Sequence, residues 1–354
     1  MKRIYSQFRL DGRVISCTPT GGGHINRTYL LVTARPHLYI LQWLNGQVFP
    51  NPAGVMHNVV AVTEHLHARM NDPRTALTLV PTLTGEPCLF TPEGECWRVF
   101  EYILDSVCLD AAESAEELRQ CGVAFGMFQK LLADFPADTL EETIPRFHDT
   151  PDRFRLLREA IARDCAGRLA SVQDEVNRFL AHEGEAGALL TLQESGELPL
   201  RVTHNDAKLS NVMLDEATHA PLCVIDLDTV MPGLAAYDFG EAIRSGASTA
   251  AEDEIDLTRV QCSLTLYEAL TEGFLSACED RLTRMEIETL PLGAKLMTLE
   301  NGVRFLTDYL NGDTYFAIHR PGQNLDRARV QLTLLEDMER KWADIQAIIA
   351  RHMP

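Results

Sequence analysis

No run of about 18 apolar residues occurs in the chain, the length that a bilayer-spanning helix requires. The opening residues, Met-Lys-Arg-Ile-Tyr-Ser-Gln, lack the apolar core of a secretory signal, so a cytoplasmic location is expected. Positive charge is scarce: 32 Lys and Arg stand against 51 Asp and Glu, a formal net charge of -19. Long-range repulsion at that balance opposes both nucleic acid and anionic membrane as partners. A polyanionic ligand must then be met by a local group of Lys, Arg or metal. The nine cysteines are odd in number and contain no C-x-x-C pair, which fits free thiols in a reducing compartment and not a disulfide framework or zinc site. G-x-S-x-G and G-x-x-x-x-G-K-[ST] are also missing, which removes the hydrolase elbow and the Walker loop. His65 and His67 do not have the i, i+4 spacing of a metal pair. No internal repeat or low-complexity tract is present.

The informative stretch is Val202-Thr203-His204-Asn205-Asp206-Ala207-Lys208-Leu209-Ser210-Asn211-Val212-Met213-Leu214-Asp215, followed by Leu222-Cys223-Val224-Ile225-Asp226-Leu227-Asp228. The pattern predicts a hairpin, Val212 to Leu214 and Leu222 to Ile225 around a turn from Asp215 to Pro221. Asn211 and Asp226 then gather at one end of it. Phosphoryl transfer calls for such a set: a loop Asp to take the proton of the attacking hydroxyl, an Asn just beyond it on Mg²⁺, and a second Asp after the next strand bridging metal and phosphates. Asp228 joins them on the same face if the strand stays extended, as a further metal or water ligand. Lys208, inside the loop, is placed to touch the transferred phosphate. A glycosidase pair built from Asp206 with Asp226 or Asp228 has no use for Asn211.

This stretch resembles the catalytic loop of the aminoglycoside phosphotransferase and choline kinase superfamily, which reads His-x-Asp, then Asn, then an apolar strand ending in Ile-Asp. Within it, Val224-Ile225-Asp226-Leu227-Asp228-Thr229-Val230-Met231-Pro232-Gly233, Tyr237-Asp238-Phe239-Gly240 and the segment Glu300 to Phe316 are similar to the N-acetylhexosamine 1-kinases. The resemblance spans nearly the whole chain. It implies Asp206 as base, Asn211 and Asp226 as Mg²⁺ ligands, His204 as organiser of the loop, and ATP as phosphoryl donor. The tripeptide Asp238-Phe239-Gly240 carries the metal Asp in protein kinases, but here it follows a Met-Pro-Gly-Leu segment in place of a strand. The metal role therefore stays with Asp226, and Asp238 is expected either to cap the next helix or to hold the catalytic loop by its backbone N–H groups.

Earlier in the chain, Val14 to Thr18, Arg27 to Thr33 and Leu38 to Leu44 read as strands, the first two joined by Gly21-Gly22-Gly23-His24-Ile25-Asn26. Glycine lets backbone N–H groups approach phosphate closely; alone the turn is an ordinary tight one, but beside the catalytic loop it is expected to cover the nucleotide phosphates through Gly21, Gly22, Gly23 and Asn26, with His24 toward the acceptor. A helix is predicted from Pro52 to Met70, with Val55, Val59, Val62 and Leu66 on one stripe. The superfamily pattern asks for a phosphate-binding Lys on the third strand, paired with an acid such as Glu64. This sequence has Gln42 there, so the lysine is either supplied elsewhere or absent, and Glu64 is either a partner or a solvated residue. Trp97 to Ile103 reads as an apolar strand ending the first lobe, with a hinge at Leu104-Asp105-Ser106. The resemblance implies that adenine sits against that strand and takes backbone hydrogen bonds near Glu101 to Ile103.

From Ser114 the pattern turns helical, opening on the capping box Ser114-Ala115-Glu116-Glu117. Helical segments are predicted over 153–182, 256–276, 291–310 and 326–350. Arg304 and Asp308 share a helix face; they are either a surface ion pair or, as the resemblance implies, part of an acceptor pocket to which Tyr315 adds a stacking face.

The expectation is an α+β, bilobal protein-kinase-like fold, with a β-rich nucleotide-binding lobe over 1–103 and a mostly helical catalytic and acceptor-binding lobe over 104–354. The implied reaction moves the ATP γ-phosphoryl group to a small-molecule hydroxyl, first the anomeric hydroxyl of an N-acetylhexosamine. An amino alcohol such as choline wants an aromatic cage, and only three Trp are available. An aminoglycoside is favoured by the acidic charge alone. A nucleotide-binding pseudoenzyme stays open because of Gln42. Oligomeric state is not legible.

Overall fold

The computed structural model describes residues 1–21 and 25–353. The roles expected of Gly22, Gly23 and His24 fall outside the described residues. In chain order the strands are β1 (Val14–Pro19), β2 (Arg27–Thr33), β3 (Leu38–Leu44), β4 (Leu89–Phe90), β5 (Cys96–Glu101), β6 (Ser106–Cys108), β7 (Arg201–Thr203), β8 (Val212–Asp215), β9 (Pro221–Val224) and β10 (Met231–Gly233). The helices are α1 (Lys2–Tyr5), α2 (Pro52–His67), α3 (Ala115–Leu131), α4 (Thr150–Arg163), α5 (Gln173–Ala181), α6 (Ala188–Glu194), α7 (Ala235–Gly246), α8 (Leu264–Cys278), α9 (Arg284–Leu310), α10 (Gln323–Arg340) and α11 (Trp342–His352). No helix among the described residues is long and apolar enough to cross a membrane.

The chain divides into two compact units, each discontinuous. The first comprises Met1–Cys108, Asp134–Pro145 and Asn211–Pro232, the second Leu109–Ala133, Arg146–Ser210 and Gly233–Pro354. The division thus falls inside the catalytic stretch, between Ser210 and Asn211.

In the first unit a five-stranded antiparallel sheet runs in the order β1-β2-β3-β5-β4. Period-two alternation turns Leu31, Tyr39, Leu41, Trp97 and Val99 inward, where Phe8 and Val80 complete the core. Helix α2 starts where Asn51 accepts the N–H of Gly54 at 3.1 Å and Pro52 supplies a pre-set φ. Its predicted stripe, Val55, Val59, Val62 and Leu66, is buried. The expected hinge is shorter than predicted, for Ser106 already opens β6, which joins β8 and β9 in a second sheet with Ser106 opposite Asp215.

The second unit is helical, around a core that includes Phe154, Leu157, Val176, Phe179, Leu296, Leu299, Val303 and Leu306. Ser114 caps α3 by accepting the N–H of Glu117 at 3.2 Å, but Glu117 reaches back to Glu113 N, at 2.7 Å, and so the predicted box closes one residue early. The predicted segment 153–182 is two helices, since Asp164 turns left-handed (φ 38°) and ends α4. Helix α9 begins before the predicted 291. A reciprocal box between Thr283 and Glu286 starts it, and Pro291 is carried inside, where a long, well-packed helix tolerates the loss of one backbone bond.

Gly240 and Gly293 let α7 and α9 approach at backbone distance: a Cβ on Gly240 would stand 2.4 Å from the carbonyl oxygen of Gly293, and one on Gly293 2.2 Å from that of Ala236. Neither obstacle is a flexible side chain. Gly293→Ala is therefore expected to destabilise the protein by about 1–3 kcal/mol through forced separation of the helices, measurable by chemical denaturation; wild-type stability would show that the helices separate without cost.

Candidate active site

In the second unit, β7 carries buried Val202 and Thr203 into the loop. The backbone N–H groups of His204 and Asn205 donate to the two oxygens of Asp238, at 2.9 and 2.7 Å, and Gln129 Nε2 donates to Asp238 Oδ2 at 2.9 Å. Asp238 is the loop's tether; α7 is capped at Leu234 without a side-chain bond, so the capping alternative does not hold. Complete burial pushes the Asp238 carboxyl up, opposed by the charge of His204 and the two backbone bonds. Held this way, Asn205 adopts a left-handed backbone (φ 64°) and turns the chain sharply before Asp206. Asp206 and Lys208 stay partly exposed and pair at 2.8 Å. His204 is fully buried, edge-on to Phe125 and Phe128, and its Nδ1 accepts the N–H of Asp206 at 3.2 Å. A Cβ at Gly233 would meet Thr203 Oγ1 at 2.2 Å, so glycine is required where β10 ends beside the loop.

A second brace was not foreseen. His148 Nε2 faces the carbonyl oxygen of Asn205 at 3.1 Å and its Nδ1 faces Glu300 Oε1 at 2.9 Å, while Thr150 Oγ1 donates to Glu300 Oε2 at 2.7 Å. These residues are too far apart in sequence to leave a local signal. Burial pushes the Glu300 carboxyl up, but the charges of His148, Arg304 and Arg153 outweigh it and hold the group below the ordinary glutamate range. A depressed acid contributes stability above its unfolded value and loses it as pH falls through the folded one. Glu300→Gln should thus cost about 3 kcal/mol at pH 7, the gap to wild type narrowing as pH falls below about 4.3. Denaturant titrations at the two ends of that range would reveal it, and a gap independent of pH would refute it.

In the first unit the hairpin forms nearly as predicted, with Val212 opposite Val224 and Ile225 N donating to Asn211 O at 2.9 Å. Asn211, buried, and Asp226, exposed, therefore adjoin at one end of the hairpin. The extended conformation does not persist beyond them. Asp226 is left-handed (φ 60°) and Leu227–Thr229 forms a 3-10 turn, which swings Asp228 inward. Asp228, expected as a metal or water ligand, is 1% exposed: Asn26 Nδ2 donates to its Oδ2 at 2.6 Å, and Arg98 Nη1 stands 2.5 Å from its Oδ1. Asn26, expected at the phosphates, is spent on Asp228 and on Asn45 N (3.1 Å). Gln42, also expected at the nucleotide, accepts from Arg98 Nε and Nη2 at 3.0 and 2.9 Å and donates to Thr28 Oγ1 at 3.3 Å. Arg98 escaped the sequence reading, although a single charge inside Trp97-Arg98-Val99-Phe100 was a visible signal.

The N–H of Glu101 goes to Thr78 O (2.9 Å) and that of Tyr102 to Leu38 O (3.1 Å), while the carbonyl of Ile103 accepts from Ser106 Oγ (2.7 Å). Gly21 has φ 79° and, its chain neighbours aside, no atom of the described residues lies within 4 Å of where a Cβ would stand. Glu64 is exposed on α2 and lines a cavity of about 790 Å³ with Met56, His57, Thr82, Glu86 and Phe90; the structure does not bring it to Gln42 as a charge partner.

Of the residues expected at the acceptor, Arg304 and Asp308 do not pair. Arg304 lies over the rings of Phe147 (5.3 Å) and Phe316 (5.4 Å) and donates to Asn301 Oδ1 at 3.4 Å. Asp308 is 4% exposed and its oxygens accept from the backbone N–H of Thr314, Tyr315 and Phe316 and from Asn324 Nδ2. It shapes the loop that presents Tyr315, itself 60% exposed, and is not available to a substrate. Arg153 stands beside Arg304: burial first, then the Arg304 charge, hold its guanidinium below the usual range, and its Nε has no hydrogen-bond partner among the described residues.

A sheet-bearing unit, a helical unit and a tethered His-Asn-Asp loop define a phosphotransferase with the protein-kinase-like fold. A family model described as "Phosphotransferase enzyme family" matches residues 16–272, and the chain belongs to that family. Among solved structures, a microcompartment-associated aminopropanol kinase is 16% identical with TM-score 0.60, over 97% of this chain and 96% of that one. An aminoglycoside phosphotransferase from Alicyclobacillus acidocaldarius is 15% identical with TM-score 0.60, over 99% and 95%. An amicoumacin kinase, in complex with AMP-PNP, Ca²⁺ and Ami, is 11% identical with TM-score 0.58, over 93% and 91%. The family match bears out the superfamily read from the sequence, and the structural likenesses bear out the fold; none of them brings out the closer likeness to N-acetylhexosamine 1-kinases.

Proposed function

We propose that the protein transfers the γ-phosphoryl group of ATP to a hydroxyl of a sugar, first an N-acetylhexosamine at its anomeric position. The observation that carries the reading is the loop: Asp238 and His148 fix the backbone on either side of Asn205, so that Asp206 is presented partly exposed with Lys208 at 2.8 Å. Asp206 accepts the hydroxyl proton and Lys208 meets the transferred phosphate. Asn211 and Asp226, adjoining oxygen donors at the end of the hairpin, fit a hard divalent ion such as Mg²⁺. Such an ion supplies neutralisation of charge on the β and γ oxygens. Residues 1–103 are assigned to the nucleotide and 104–354 to catalysis and acceptor. With the Glu101 and Tyr102 N–H groups spent, adenine is assigned to the carbonyl of Glu101 and the N–H of Ile103. The complex of the amicoumacin kinase with AMP-PNP and Ca²⁺ supports the use of ATP and a divalent metal.

Two adjacent guanidiniums, Arg153 and Arg304, with Tyr315 near them, favour an uncharged or anionic acceptor rich in oxygen over a cation. A second reading, an amino alcohol acceptor, is favoured by the likeness to the aminopropanol kinase. Mg²⁺-dependent ATP consumption with free N-acetylhexosamines, other sugars, aminopropanol, choline and an aminoglycoside separates them. Turnover with sugars at least roughly tenfold above the amines in kcat/KM, about 1.4 kcal/mol, supports the proposal; turnover with the amines alone overturns it, and none at all points to a nucleotide-binding pseudoenzyme.

A further inference from the structure

The first unit keeps a cation where the strand lysine is missing, but on the neighbouring strand. Arg98 of β5 stands directly opposite Gln42 of β3. Its side chain is 2% exposed and engaged on every side: Nε and Nη2 on Gln42 Oε1, Nη1 against Asp228 Oδ1 and, at 3.9 Å, Met56 Sδ of α2, with the ring of Phe100 at 5.0 Å from the guanidinium carbon. No N–H or O–H of the described residues is aligned on Asp228 Oδ1, so the 2.5 Å approach there is a charge contact. Asn26 holds the other oxygen. A buried carboxylate is stable only when compensated, and here the compensation comes through β3 and β5 of the large sheet.

We propose that Arg98 is a positioning residue for the reaction, which acts by clamping Asp228, and that Gln42 serves it as a bracket and never touches the nucleotide. The idea rests on the proposed function, in which Asp226 is a metal ligand. Asp228 is the middle residue of the Leu227–Thr229 turn, and Asp226 is its cap in a left-handed conformation. Fixing Asp228 against Arg98 fixes the turn, and the turn fixes the direction of Asp226. Because guanidinium and carboxylate are both buried, the pair acts by holding backbone and not by contacting phosphate.

The test compares Arg98→Gln, Asp228→Asn and their double variant with Arg98→Lys and Gln42→Lys. In nucleotide-free protein, each single neutralisation should raise the unfolding constant about a hundredfold or more, since it strands a buried charge, and the double should cost less than the product of the two. Hydrogen exchange of the amides of 226–230 should accelerate at least roughly tenfold in both singles. In turnover assays the Mg²⁺ concentration giving half-maximal rate should rise at least roughly tenfold, KM for the acceptor staying within about twofold, and Arg98→Lys should recover part of the loss. Gln42→Lys places an ammonium beside the buried guanidinium and should destabilise the protein without improving ATP affinity. Additive single effects, unchanged exchange at 226–230, or tighter ATP binding by Gln42→Lys would each overturn the proposal. Should Arg98→Gln not fold, Arg98→Lys and Asp228→Asn carry the same comparisons. If the wild type shows no turnover, the functional reading fails while the stability cycle and the exchange still decide the clamp.

Discussion

Asp206→Asn is expected to lower kcat by about 10² to 10⁴ while leaving KM for ATP within about twofold. The amide keeps the shape of the side chain but takes no proton, and little folding energy is at stake because Asp206 is partly exposed and its Lys208 pair is partly solvated. Single-turnover measurement with a nucleotide-binding assay separates the two quantities. A variant that retained turnover within roughly a factor of five of wild type would remove Asp206 as base. A matching loss of nucleotide affinity would mean that the residue holds the nucleotide instead.

The second large effect belongs to a residue that touches no reactant. Asp238→Asn replaces one of two acceptor oxygens, each filled by a backbone N–H of the loop, with an NH₂ group that is itself a donor. One buried N–H is left facing a donor, which costs about 1–3 kcal/mol, and the turn at Asn205 is no longer pinned. The expectation is a melting temperature lower by several degrees together with a fall in kcat of about a hundredfold, and no change in the Mg²⁺ concentration needed for half-maximal rate. That last point distinguishes the tether from a metal ligand. If Asp238→Asn raised the Mg²⁺ requirement and Asp226→Asn did not, the two roles would have to be exchanged, as in protein kinases where the same tripeptide carries the metal.

How far the sequence could be read depended on whether the interactions involved were local. The hairpin 212–225, the α2 stripe and the cap at Ser114 were legible because each is written in residues a few positions apart. The loop residues 204, 206 and 211 were legible as a spacing. Asp238 was legible as one of two alternatives, helix cap or loop tether; illegible were the partners that complete the set from elsewhere in the chain: Gln129 beside Asp238, Glu300 and His148 behind the loop, Arg98 and Asn26 around Asp228. Asp308 shows the same limit from the other side. Its helical spacing from Arg304 suggested a shared face, yet its oxygens are consumed by the backbone of 314–316, and a turn of that kind leaves no periodic trace.

By itself the sequence determined the class of chemistry, because an aspartate, an amide and a second carboxylate at those separations suit phosphoryl transfer, and it determined the strands β1 to β3, the hairpin of β8 and β9 and the helices α2 and α3, because hydrophobic period and capping are local. Only the tertiary structure decided which charged residues are buried among partners and which reach solvent. Burial makes every unpaired charge costly, so the fold spends Asp228, Asp238, Asp308 and Glu300 on partners that are distant in the chain and leaves Asp206 and Asp226 toward solvent.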